Sequence, residues 1–126
     1  MEFTTPNGDL RFSIPDEWWF FAEMQNFKLR DEVPFFMPRL KESETFEKIA
    51  IRDIEPPIRT VPGLWFRKYK LMPILFAFLS PECALPLVIL SSLEVSSPYK
   101  YKVVNGFHRY YASIAVGFSF LPVRVV

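Results

Sequence analysis

The sequence predicts a mixed α/β (α+β) domain built around one sheet, and three observations carry that prediction. Its second half reads strand, helix, strand, strand, helix, strand, the alternation of a sheet flanked by helices. Half of the 126 residues are hydrophobic and 17% are aromatic, ample for a packed core and too apolar for a disordered chain. The length suits one domain, with no internal repeat or low-complexity tract to divide it. Residues 46–126 are expected to form the core. Residues 1–45 are expected to add a hairpin, a helix and a connector packed on it.

Each element has its local reason. "EFTTPNGDLRFSI" places two β-prone runs around Asn7-Gly8, a pair that tolerates positive φ in a turn. "IPDEWWFFAEM" opens a helix: Pro15 suits the first turn, and Asp16 and Glu17 complement the positive helix end. Trp18, Phe21 and Ala22 share one face, with Trp19 beside it. Residues 26–45 hold two prolines and mixed charge, so they read as an irregular connector whose Phe35, Phe36 and Met37 pack on the body. "FEKIAIRDI" alternates as a strand with Phe46, Ile49, Ile51 and Ile54 as its apolar side chains. The prolines of "EPPIRTVPG" remove backbone donors and force a loop. "LWFRKYKLMPILFAFLS" is helical but interrupted at Pro73, by a kink or by division into two helices. "LPLVILSS" and "YKYKVVN" read as strands, "FHRYYASIAVG" as a helix ending near Gly117, and "LPVRVV" as a final strand.

Composition narrows the function. A formal net charge of +1 gives no broad basic field for DNA or an anionic membrane. One cysteine, Cys83, excludes an internal disulfide framework, and no zinc-ligand spacing is present. A start without a basic, apolar leader, and apolar runs too short to span a bilayer, point to a soluble cytoplasmic protein without a membrane partner.

The unusual feature is the start of the helix after Asn105. A helix begins with unpaired N–H groups and a partial positive charge, which favours acids. Phe107, His108, Arg109 and Tyr110 include none. A cation there costs on the order of half a kcal/mol when exposed. An incoming anion would offset that cost. Gly106, lacking Cβ, would let it approach the backbone; the first-turn N–H groups would bind it, with Arg109 forking onto its oxygens and His108 donating one more bond. Phosphate fits best. The bland alternatives are an Arg109 pair with Asp53 or Glu55, and a His108 bond to a backbone carbonyl. Phe107, Tyr111, Ile114, Ala115 and Phe118 follow the spacing of a buried face, from which Arg109 falls away. Tyr110 and Tyr111 are assigned to packing rather than to base stacking. Lys68 and Lys70 could flank a nucleotide cleft but are read mainly as surface charge.

"NGFHRYYASIAVGFSFLPVRVV" resembles the strand–Gly-x-x-Arg-x-x-Ala–helix–Gly–strand signature of the ParB N-terminal/sulfiredoxin-like superfamily, through Gly106, Arg109 and Ala112. Gly106, His108 and Arg109 also fit the Gly-Cys-His-Arg motif of sulfiredoxins, with Phe107 in the cysteine position. "IAIRDIEPPIR" is similar to the family's first strand and Pro/Arg segment, Arg59 matching its arginine, and "ALPLVIL" to its second strand. The resemblance covers about residues 46–126. It implies a nucleotide-phosphate pocket formed by Arg59, Asn105, Gly106, Phe107, His108 and Arg109, binding ATP or CTP with Mg²⁺, and NTP hydrolysis or phosphoryl transfer as the chemistry. Phe107 removes the sulfiredoxin nucleophile. Asn105 stands where family acids often precede the glycine; it can cap the helix but cannot act as a base, so no catalytic residue is assigned. A partition clamp carries a helix-turn-helix after this module, and its complete form is not expected in a chain ending at Val126. Two further classes remain: a non-catalytic protein-interaction or homo-oligomeric module with a vestigial pocket, as an accessory to a plasmid, phage or toxin-type system, and a small ParB-like nuclease or DNA-binding protein.

Overall fold

A computed structural model describes residues 1–30, 32–59, 65–80 and 82–126. The end of the expected Pro-rich loop and the start of the expected "LWFRKYK" helix, residues 60–64, lie outside them. The chain is of mixed α+β class. It opens with β1 (Glu2–Thr4) and β2 (Arg11–Ser13), an antiparallel hairpin in which Phe3 faces Phe12. The connection is longer than a two-residue turn. Gly8 N–H donates to the Thr5 carbonyl with Pro6 and Asn7 between them, and Gly8 takes φ +75°.

Helix α1 (Asp16–Phe21) follows with Pro15 at its N-cap and its two acids in the first turn. Trp18, Trp19 and Ala22 are buried, but Phe21 is 70% exposed, against the expectation that it shared the buried face. The helix ends within two turns because Glu23 turns left-handed, φ 58°. Phe21, the helix's last residue, meets Phe76 edge-on at the surface instead of entering the core.

The connector is less irregular than expected. β3 (Pro38–Arg39) pairs in parallel with β6 (Leu85–Pro86). Phe36 is buried and Phe35 meets Phe46 edge-on, whereas Met37 is exposed.

The strand expected over "FEKIAIRDI" is in fact broken: β4 (Glu47–Ala50), a 3₁₀ turn (Ile51–Asp53), then β5 (Ile54–Glu55). The main sheet explains the break. Adding β7 (Val88–Ser92), β8 (Tyr101–Asn105) and β9 (Phe120–Val125), its order is β4-β9-β7-β8-β5, so β4 and β5 are opposite edges. Five flat strands would hold those edges about 19 Å apart. Four residue steps from Ala50 to Ile54 reach at most about 14 Å. The sheet must therefore curl, and the turn closes the curl. Ile51 N–H donates to the Ser119 carbonyl, and Lys100 N–H to the Asp53 carbonyl, so the turn is stitched to β9 on one side and β8 on the other. Ile51, Ile54, Val88, Leu90, Leu121 and Val123 are buried within the core.

Helix α2 (Lys68–Leu79) runs through Pro73 as one element, rather than dividing there. Helix α3 (Phe107–Val116) ends at Gly117, whose φ of +94° supplies the left-handed stop. Tyr110 and Tyr111 are fully buried, as their packing assignment required. Phe12 of the hairpin lies 4.8 Å from Tyr111 between ring centroids, so the first 45 residues and the remainder share one buried cluster. Among the described residues no helix is long and apolar enough to cross a membrane.

Candidate functional site

Strand β8 runs into Gly106, which turns the chain at φ +125° into α3. A Cβ at Gly106 would lie 3.0 Å from both methyls of buried Val88 and 3.3 Å from an Arg109 nitrogen. The glycine is thus required twice, for its φ and for the approach of β7. Beside it lies a cleft of about 490 Å³. Arg59, Asn105, Gly106, Phe107, His108 and Arg109 all line it, so the residues chosen from the sequence converge on one place. Lys70 from α2 lines it as well. No Asp or Glu does among the described residues.

The two arginines are held by uncharged groups. Arg109 donates to the Pro86 carbonyl at 2.8 Å and, at 3.4 Å, to Asn105 Oδ1. Burial pulls its pKa below the usual guanidinium value. Its expected carboxylate alternatives do not engage it: Asp53 pairs with Lys100 at 4.0 Å, and Glu55 is exposed on β5. Arg59 lies over the Phe107 ring, its guanidinium carbon 4.7 Å from the centroid. Its loop is tied down because Tyr111 Oη donates to the Pro57 carbonyl at 2.6 Å. Among the described residues, no ion pair includes Arg59, Lys70 or Arg109.

Two expectations at this helix start need correction. Asn105 does not cap α3: no side chain caps it, and Asn105 instead accepts from Arg109 one turn on. Nor does His108 contribute a second cation. Its Nε2 accepts the Arg67 N–H at 3.0 Å, so the imidazole is neutral with its proton on Nδ1. Burial lowers its pKa to about 4, and Arg59, Lys70 and Arg67 add to the effect by repulsion. The same contact joins two helix starts, because Arg67 is the N-cap of α2. Neither α2 nor α3 has an acid in its first turn, so two positive helix ends adjoin the three cations.

Lys70, which the sequence offers as a flank of a nucleotide cleft but which reads mainly as surface charge, lines the cleft; the Arg67–His108 bond has no counterpart in the sequence reading. The signal available for Lys70 was weak: an acid-free helix start, "RKYK", like that of α3. For His108 the partner is a backbone amide 41 residues away, which side-chain spacing does not encode.

Chemically, the cleft can bind and orient a polyanion. Among the described residues no three His, Cys, Asp or Glu side chains cluster as metal ligands. Compared with known proteins, the chain matches no family model, no curated protein and no solved structure.

Proposed function

We propose that this protein binds a phosphate-bearing nucleotide in the cleft at the start of α3, as a member of the ParB/sulfiredoxin-like type. One observation carries the reading: Arg59, Lys70 and Arg109 line a cleft that, among the described residues, has no lining carboxylate, beside a helix start that none of their side chains caps. Phosphate oxygens would take the first-turn N–H groups of α3 and the Arg109 fork. Arg59 and Lys70 would neutralise charge from the same cleft lining. A divalent ion such as Mg²⁺ would arrive with the nucleotide and be held by phosphate oxygens and water, since the described residues of the cleft lining supply no carboxylate for it. His108 positions the start of α2 rather than transferring a proton. The reading is therefore one of binding, with ATP and CTP the nucleotides to try first.

Calorimetry tests it with ATP, CTP, GTP and inorganic triphosphate, each with and without Mg²⁺. Binding is expected for at least one, weakened about tenfold or more in Arg109→Ala and in Arg59→Ala. Absence of binding to all four at millimolar concentration overturns the proposal. Cleavage of plasmid DNA that disappears in Arg109→Ala would move the reading to a nuclease.

The interaction-module alternative has an observation of its own. Phe20, Phe21, Tyr69 and Phe76 are exposed on α1 and α2, with Phe21 and Phe76 in edge contact at 6.2 Å. A protein complex lost on Phe21→Ser but retained in Arg109→Ala would favour that reading.

A further inference from the structure

A second cavity, of about 550 Å³, opens between the connector and the C-terminal half of α2. That size is usual for a small-molecule site, which spans ~300–1,000 Å³. Phe27, Phe36, Phe78 and Phe118 wall it; ring centroids lie 5.3 Å apart for Phe78–Phe118 and 6.0 Å for Phe27–Phe118. Its walls are tied together. The Pro34 carbonyl accepts from the Ser119 and Phe120 amides, and Leu85 N–H donates to the Met37 carbonyl. Water among phenyl rings finds few polar partners, so the space favours an apolar occupant.

Among the described residues, the charge lining this cavity is of one sign. Lys28 and Arg30 line it, both exposed, and no Asp or Glu does among the described residues. Neither cation belongs to an ion pair among those residues. Both are solvated without a ligand; an anionic head group would gain from both, and a cationic one would be repelled. We propose that this cavity binds an anionic amphiphile of the fatty-carboxylate class, its chain between the phenyl rings and its acid group at Lys28 and Arg30. The site shares no cation with the nucleotide cleft, so either proposal can fail alone.

Cys83 supplies the readout. It is the chain's one cysteine, it is exposed, and it lines this cavity. Dodecanoate, below its micelle-forming concentration, is expected to slow alkylation of Cys83 by uncharged iodoacetamide in a saturable way. Dodecyltrimethylammonium at the same concentration is expected to leave the rate unchanged. Replacing both cations (Lys28→Glu with Arg30→Glu) should raise the dodecanoate concentration for half-protection about tenfold. Both positions are solvent-exposed, and circular dichroism identical to wild type establishes that the double variant folds. Equal protection by the two head-group charges, protection unchanged in the double variant, or no protection by dodecanoate would each overturn the proposal.

Discussion

His108 holds its proton less readily than a free imidazole because the folded chain buries it, surrounds it with cations and uses its lone pair. The depressed pKa has a sign. Between about pH 4 and 6.5 the unfolded chain binds a proton that the folded chain refuses, so stability rises with pH across that window. Going down in pH, the contribution is complete above 6.5 and lost by 4; it amounts to about 3 kcal/mol. Urea titrations should show the decline from pH 6.5 to 5 in wild type. They should show a flatter profile in His108→Gln, which keeps an acceptor but does not titrate. Since the chain has a single histidine, no other imidazole contributes. Gly106→Ala forces a Cβ against Val88 at φ +125°, and should cost about 1–3 kcal/mol by the same measurement. At this scale the candidate cleft was legible where its residues sit close together in sequence, from Asn105 to Arg109. Arg59 was reached through the family resemblance, which matches it to the arginine of the Pro/Arg segment. The charge state of His108 was not, because it depends on burial and on an amide contributed by a distant helix.

Helix α2 carries a proline in its sixth position, where an amide would otherwise bond the Tyr69 carbonyl. Tyr69 is 68% exposed, so water can take that carbonyl, and the helix continues. Pro73→Ala restores the amide at an exposed position and should raise stability by about 1 kcal/mol, read as a higher urea midpoint. The gain is limited because alanine also frees the unfolded chain. Elements with marked ends were legible: α3 lies between Gly106 and Gly117, and β9 follows it directly. The β4–β5 break was not. Ile49, Ile51 and Ile54 mimic one continuous strand, and only closure of the sheet demands a turn between them. The β3–β6 pair is two residues long with a proline in each strand, leaving no periodicity to read.

For the molecule as a whole, a formal charge of +1 conceals an uneven distribution, with three cations around one cleft that no carboxylate among the described residues pairs. Attraction of a polyanion there should be strongly screened. Raising NaCl from about 0.05 to about 0.5 M shrinks the screening length to roughly a third, and should weaken triphosphate binding about tenfold in calorimetric titrations. Binding indifferent to salt would mean that stacking or apolar contact, not charge, holds the nucleotide. The one-domain expectation drew on length and apolar content. The curl of the sheet was beyond it, because strand order is a property of pairing partners far apart in the chain. The two cavities also differ in the rare atom each displays: the chain's lone imidazole borders one and its lone sulfhydryl the other. Nuclear magnetic resonance of the ring and a fluorine tag on the sulfur would therefore give two unambiguous signals from a single sample, each reporting its own ligand while the other is titrated.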